Sequence, residues 1–203
     1  MKPYYEDKYC KIYHADCQNL DLSALDIGMI FTDPPYGIDA NKQTLGSGKR
    51  DFHRGGNWDS FAPIDFIRKL HEVGTEMVVW GGNYFTDALP PTNDWLVWHK
   101  KNDGLSFSEC EMAWTNIGCN TRHISHHWSG EEKLHPTAKP IPVVSWAMGK
   151  SRTHGAVLDP FMGSGTTLRV AKDMNRMAIG FEIEEAYCEI AAKRLEQEVL
   201  AFY

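Results

Sequence analysis

Short apolar runs recur along the chain at lengths that suit buried strands. Tyr9 to Tyr13, Ile27 to Phe31, Glu76 to Trp80, Trp95 to Trp98, Cys110 to Trp114, Ala156 to Asp159 and Ala178 to Glu182 are rich in β-branched and aromatic side chains, as strands packed in a core should be. Between them the period changes. Ile64, Ile67 and Leu70-His71 recur at helical spacing over Ile64 to Val73, Val143 to Lys150 suits another helix, a helix start follows Gly165, and the acidic stretch Glu182 to Glu198 reads as the last helix. Strands alternating with helices predict an α/β fold, with a doubly wound, mainly parallel sheet of about seven strands.

Two stretches break this rhythm. Asp39 to Asp59 has little periodicity, and its Gly46-Ser47-Gly48 and Gly55-Gly56 are separated by basic residues. It reads as a long loop, and loops of that length in compact domains are commonly functional. Thr115 to Leu134 reads as a second, shorter loop carrying Arg122, His123, His126, His127 and Trp128. Cys119, His123 and His126 or His127 can be drawn as metal ligands, but their spacing fits no zinc pattern, and no metal is expected.

With 203 residues, 42% of them hydrophobic, the chain fits one domain spanning 1–203 with a sizeable core. No apolar run approaches the ~20 residues of a membrane span, and Met1 to Glu6 has no signal-peptide core. The expected location is the cytoplasm. The five cysteines form no Cys-x-x-Cys pair and no even disulfide framework, which suits reduced packing residues.

The candidate chemistry begins where the run Ile27 to Phe31 ends, in Thr32-Asp33-Pro34-Pro35-Tyr36-Gly37. The prolines fix φ and donate no N–H, so Asp33 and the Pro34 carbonyl are held with acceptors free beside the flat ring of Tyr36. Such a pocket suits a planar group bearing an NH2, and a nucleobase is one. The same residues also suit a proline-stiffened turn. Glycines close a second strand in Ala156-Val157-Leu158-Asp159-Pro160-Phe161-Met162-Gly163-Ser164-Gly165-Thr166-Thr167, the strand–turn–helix arrangement of a nucleoside-binding sheet. Leu168 replaces the third glycine of the dinucleotide pattern, and no P-loop lysine follows Gly165. Glu182, about 17 positions beyond the glycines, stands roughly where a ribose-binding carboxylate belongs. Asn83 and Tyr84 are candidates for lining the same pocket, or simply belong to a glycine turn with packed aromatics.

Together the two motifs resemble those of the DNA amino-methyltransferases, which move a methyl group from S-adenosylmethionine to an exocyclic base nitrogen. Asp-Pro-Pro-Tyr resembles the family's catalytic motif and Asp-Pro-Phe-x-Gly-Ser-Gly-Thr-Thr its cofactor loop, in the order of the β group. His135-Pro136-Thr137-Ala138-Lys139-Pro140 is similar to the family's His-Pro-Thr-Gln-Lys-Pro segment near the methionine end of the cofactor, with Ala138 for Gln. Asp16 stands where the family has an acid near the adenine. The resemblance implies a Rossmann-like methyltransferase fold and a catalytic set of Asp33, Pro34, Pro35 and Tyr36. It implies S-adenosylmethionine as cofactor, held by Asp16, Lys139, Asp159, Phe161, Gly163, Ser164, Gly165, Thr166, Thr167 and Glu182. Duplex DNA with a flipped target base is the implied partner, a homodimer is compatible with it, and restriction-modification is the implied setting. An Asp at position 33 favours adenine N6 over cytosine N4, while RNA or protein acceptors stay open.

A net charge of -6 is unusual for a protein that grips a polyanion, but its distribution matters more than the sum. Glu182 to Glu198 holds six Glu, whereas Lys42 to Arg54 holds Lys42, Lys49, Arg50 and Arg54 against Asp51 alone. These four cations and Arg122 are the expected DNA contacts. No separate target-recognition region is expected, since only about 20 residues separate Trp114 from His135 where the family carries one, far fewer than a domain needs.

Overall fold

A computed structural model describes residues 1–22, 25–38, 61–104, 108–127 and 139–197. The strands are β1 (Tyr5–Glu6), β2 (Cys10–His14), β3 (Ile27–Thr32), β4 (Glu76–Trp80), β5 (Trp95–His99), β6 (Cys110–Thr115), β7 (Arg122–Ser125), β8 (Ala156–Asp159) and β9 (Ala178–Glu182). The helices are α1 (Ile64–Glu72), α2 (Ile141–Met148), α3 (Thr166–Asp173) and α4 (Glu185–Glu196). Each expected apolar run is a strand, and the class is α/β. Among the described residues the sheet has nine strands rather than about seven, in the order β1-β2-β9-β8-β3-β4-β6-β5-β7.

The two additional strands lie at the ends of that order, where the apolar signal is weakest. β1 is a two-residue pairing with β2. β7 falls inside the stretch read as a loop, and it corrects that reading. Its sequence Arg-His-Ile-Ser is mostly exposed and pairs with β5 alone among the described residues, so no buried face imposes a period of two. The last helix also starts later than expected, because Glu182 ends β9 instead of opening α4.

Both faces of the sheet are covered, which is why its central strands read as unbroken apolar runs. Met29 and Phe31 of β3 and Val78 and Trp80 of β4 face a core built with α2, α3 and α4. Ile30 of β3 and Met77 and Val79 of β4 face Phe66, Ile67 and Leu70 of α1. Side chains of this size contribute roughly 1.5–3 kcal/mol each when fully buried.

Five strands, β2, β9, β8, β3 and β4, run parallel and end at one edge. From β3 the chain builds outward through β4 on one side, while β8 and β9 build outward on the other. The crevice between the ends of β8 and β3 is therefore the point where strand order reverses, the usual place for a ligand in an open α/β sheet. At the start of the same two strands Gly28 and Gly155 touch backbone to backbone, for a Cβ on Gly28 would lie 2.5 Å from the Gly155 Cα. Beyond β4 the sheet turns antiparallel through β6 and β5. Trp80 ends β4 level with Ala113, Leu96 and Arg122, so β6, β5 and β7 overhang it by three residues, roughly 10 Å at strand rise.

Candidate active site

Asp33 leaves the end of β3 at the crevice, and its two carboxylate oxygens have different partners. The Tyr36 hydroxyl donates to Oδ1 at 2.6 Å, and the Lys139 ammonium donates to Oδ2 at 2.5 Å. Lys139 also reaches Glu111 Oε2 at 3.2 Å, and Lys100 Nζ lies 2.7 Å from Glu111 Oε1. The Lys139 side chain is only 6% exposed, and its Nζ sits 5.1 Å from the centre of the Trp80 ring. Burial works against a charged lysine, but the carboxylates of Asp33 and Glu111 outweigh it and raise the Lys139 pKa above the ordinary range. Burial likewise pushes the Glu111 carboxyl up, and Lys139 and Lys100 reverse this and hold it below its usual value. The result is a row of charges, Asp33, Lys139, Glu111 and Lys100, in which each ion has an opposite neighbour.

The aromatic side of the pocket is set by Gly81. It has φ +66°, and a Cβ there would come within 2.1 Å of Tyr36 Cε1, so the Tyr36 ring rests on the space a side chain would fill. Tyr84, at the end of the short 3-10 turn Gly82–Tyr84, stacks on Tyr36 with centroids 4.9 Å apart and planes 15° apart. Burial, then the charges of Asp33 and Glu111, push the Tyr36 phenol well above its ordinary pKa, so it remains a donor. Pro34 is buried and Pro35 half-buried beneath this turn.

Across the crevice, β8 ends at Asp159, which is 2% exposed. Burial raises its carboxyl to about 7, against the Thr167 hydroxyl and the Phe161 N–H, which donates to Oδ1 at 3.1 Å. The chain then turns through Gly163 (φ +51°) and Gly165 (φ +77°) into α3. Glu182, at the end of the neighbouring β9, accepts the Gly163 N–H at 3.1 Å on Oε2 and the Glu184 N–H at 2.9 Å on Oε1. The Ser164 hydroxyl is buried with no hydrogen-bond partner among the described residues, an exception to the rule for buried polar groups that suits a ligand-facing position. Ala15, after β2, donates to the Glu182 carbonyl at 3.0 Å, bringing the exposed Asp16 beside this strand end. The Asp16 carboxylate accepts the Gln18 N–H at 2.9 Å.

The sheet thus brings Asp16, Glu182, the Asp159 loop and Asp33 to one edge, and several of the other expected side chains have protein partners there. Lys139, expected near the cofactor's methionine end, has its ammonium on Asp33. The Thr166 hydroxyl is taken by Arg194 of α4 at 2.9 Å. Phe161 packs edge-on against Phe66, with centroids 5.9 Å apart. Arg122 is exposed at the start of β7 and belongs to a strand, not a loop. Lys42, Lys49, Arg50, Arg54 and the segment His135 to Ala138 lie outside the described residues. Among the described residues no group of three or more His, Cys, Asp or Glu is disposed to hold a metal, and no helix is long and apolar enough to cross a membrane.

Glu111 and Lys100 were missed. The signal available was an acid inside an otherwise apolar strand segment, Cys110 to Trp114, since a half-buried carboxylate requires a cation nearby.

Comparison with known proteins gives this edge a context. A family model described as DNA methylase, for N6 and N4 methyltransferases, matches residues 90–193, just over half of the chain. The Type II methyltransferase M2.LlaDCHI of Lactococcus lactis subsp. cremoris is 27% identical over 256 aligned positions, covering 97% of this chain and 93% of that protein. The crystal structure of the M1.HpyAVI–SAM complex superposes with a TM-score of 0.66 at 26% identity, over 93% of this chain and 100% of that one. PvuII DNA methyltransferase, cytosine-N4-specific, shares the fold with a TM-score of 0.66 at 18% identity, over 98% and 91% of the two chains. Matched in sequence by the family model and in fold by the solved structures, the chain belongs to the DNA methylase family, the amino-methyltransferases of the restriction-modification kind.

Proposed function

We propose that this protein transfers a methyl group from S-adenosylmethionine to N6 of a flipped adenine in DNA. The observation that carries the reading is the Asp33 carboxylate, fixed by Tyr36 and Lys139 directly across the strand-order reversal from the glycine loop of β8. The loop fits the cofactor in kind. Asp159 is a buried acid suited to an ammonium group, Ser164 has a hydroxyl with no partner among the described residues, and Glu182 is a carboxylate suited to ribose hydroxyls. Phe161, Gly163, Gly165 and Thr167 shape that loop, and Asp16 extends it toward the base of the cofactor. When bound, S-adenosylmethionine supplies an electrophilic methyl on a good leaving group.

The acceptor nitrogen is a poor nucleophile because its lone pair is delocalised into the base. Asp33 and the Pro34 carbonyl accept hydrogen bonds from the amine, favouring a tetrahedral nitrogen with its lone pair free for attack. Each Asp33 oxygen shown with one protein donor keeps a second lone pair for this purpose. As the methyl's bond to sulfur is exchanged for one to nitrogen, the electron pair would stay on sulfur and the amine would shed a proton to Asp33. Orientation and preorganised charge supply the rest. Because the target nitrogen lies inside the duplex, the base must leave the stack, and the Tyr36–Tyr84 pair offers it an aromatic surface.

A second reading, cytosine N4, has support in the N4-specific PvuII enzyme that shares the fold. The Asp at position 33 favours adenine. The chain is read as one methyltransferase domain without a separate recognition region. The 256 positions aligned to M2.LlaDCHI exceed the 203 residues present here, so that relative carries added segments. Lys42, Lys49, Arg50, Arg54 and Arg122 remain the expected phosphate and base contacts.

Incubation with tritiated S-adenosylmethionine and separate DNA, RNA and protein acceptors tests the reading, with digestion of the labelled product. The expected product is N6-methyladenine in DNA, lost in Asp33→Ala while calorimetric binding of the cofactor persists. N4-methylcytosine would move the assignment to the second reading, and label in RNA or protein alone would sink both.

A further inference from the structure

The geometry points to Lys139 as a positioning residue for methyl transfer, held by Glu111 and acting through the Asp33 carboxylate instead of through the cofactor. This inference rests on the function proposed above. Three observations carry it. The Lys139 ammonium lies 2.5 Å from Asp33 and 3.2 Å from Glu111, so one cation bridges the acid that follows β3 to an acid within β6. Its side chain is 6% exposed and lies against the Trp80 ring, leaving it little freedom to choose other partners. Glu111 is anchored in turn by Lys100 at 2.7 Å.

The consequence for the reaction is one of direction and charge. Asp33 follows a strand end and precedes two prolines, so its backbone is stiff, but its carboxylate can still rotate. Lys139 on Oδ2 and Tyr36 on Oδ1 together stop that rotation. Without Glu111, Asp33 with Lys139 and Lys100 would sum to one net positive charge where a cationic amine develops during attack. With Glu111 present, Lys139 orients Asp33 while the two acids and two lysines sum to no net charge. Sequence resemblance alone set Lys139 near the cofactor, so the two roles predict opposite kinetic signatures.

Single-turnover methyl transfer to DNA and calorimetric binding of S-adenosylmethionine should be measured for wild type, Lys139→Met, Lys139→Arg and Glu111→Gln. Loss of a charge-assisted bond that orients the reacting carboxylate should slow transfer by roughly 10–100-fold in Lys139→Met, with cofactor affinity within about threefold. Lys139→Arg should recover most of the rate, and Glu111→Gln should lose roughly tenfold. The double variant should be no slower than Lys139→Met, because both substitutions break the same clamp. Wild-type transfer rates in Lys139→Met overturn the proposal, and so does a variant that loses cofactor affinity with its transfer step intact, which returns Lys139 to the cofactor. Should Lys139→Met fail to fold, Lys139→Arg and Glu111→Gln carry the same test. A wild-type protein that labels no DNA refutes the proposed function instead. The clamp is then judged by urea unfolding of the Lys139–Asp33 double-mutant cycle, where additive shifts would reject it.

Discussion

Placing alanine at Gly81 asks how tightly the Asp33 carboxylate depends on a glycine that never touches it. The added Cβ would stand 2.1, 2.5 and 2.7 Å from Tyr36 Cε1, Cζ and Cδ1, so it must displace the ring. Holding φ +66° costs alanine about 1–2 kcal/mol, and forcing a methyl into a filled site adds about 1–3 kcal/mol. The variant should therefore lose about 2–5 kcal/mol, which for a domain of this size lowers Tm by roughly 5–15 °C. When the ring moves, the hydroxyl that donates to Asp33 at 2.6 Å moves with it. A hydrogen bond to a charged group is worth about 1.5–3 kcal/mol, so methyl transfer by the folded fraction should fall roughly ten- to a hundredfold. Circular dichroism melts give the first number, and single-turnover labelling well below the variant's Tm gives the second. Adding Tyr36→Ala should restore part of the stability, because it removes the ring that the methyl strikes, but none of the activity. A Gly81→Ala protein melting within 1 °C of wild type would refute the reasoning outright.

Glu182→Ala should raise the dissociation constant for S-adenosylmethionine by one to two orders of magnitude, since a charged acceptor for ribose is worth about 1.5–3 kcal/mol. Unchanged affinity by calorimetric titration would remove Glu182 from the site. Asp159 predicts a pH effect on the ligand-free protein. Burial raises its folded carboxyl to about 7, above an unfolded value of about 3.9, so the native state binds the proton more tightly. Its contribution to stability is fullest below pH of about 4, is lost as pH climbs to about 7, and is constant beyond. Asp159→Asn should flatten that slope in urea unfolding midpoints measured from pH 4 to 8, and an unaltered slope would mean that another group titrates.

Much of this fold could be read from the chain because its central strands are covered on both sides. Ile27 to Phe31, Met77 to Trp80 and Ala156 to Leu158 had to be continuously apolar, so their positions were legible. The turn from Asp33 to Tyr36 was legible for a different reason, since two prolines after a strand announce a fixed carboxylate whatever lies around it. β7 escaped notice because an edge strand with solvent on most of its surface carries no periodic signature. The Lys139 clamp escaped because its members are 78 and 28 residues apart along the chain, Asp33 to Glu111 and Glu111 to Lys139. They meet only because β6 returns antiparallel past the end of β4, and no local pattern encodes that pairing.

The order of strands in the sheet also governs when this protein can become active during its synthesis. β3 carries the Asp33 turn at its end, yet one of its two neighbours, β8, begins 124 residues after β3 is complete. At 5–20 residues per second a growing chain therefore waits about 6–25 s with one edge of β3 unpaired. Throughout that interval the nascent sheet presents Ile30 and Phe31 beside open backbone donors and acceptors, an invitation to the wrong strand. Lys139 and the Asp159 loop emerge late in the same interval or after it. Methylating capacity thus arrives only with the last third of the chain, and a ribosome stalled before β8 yields a fragment with a catalytic motif and no site.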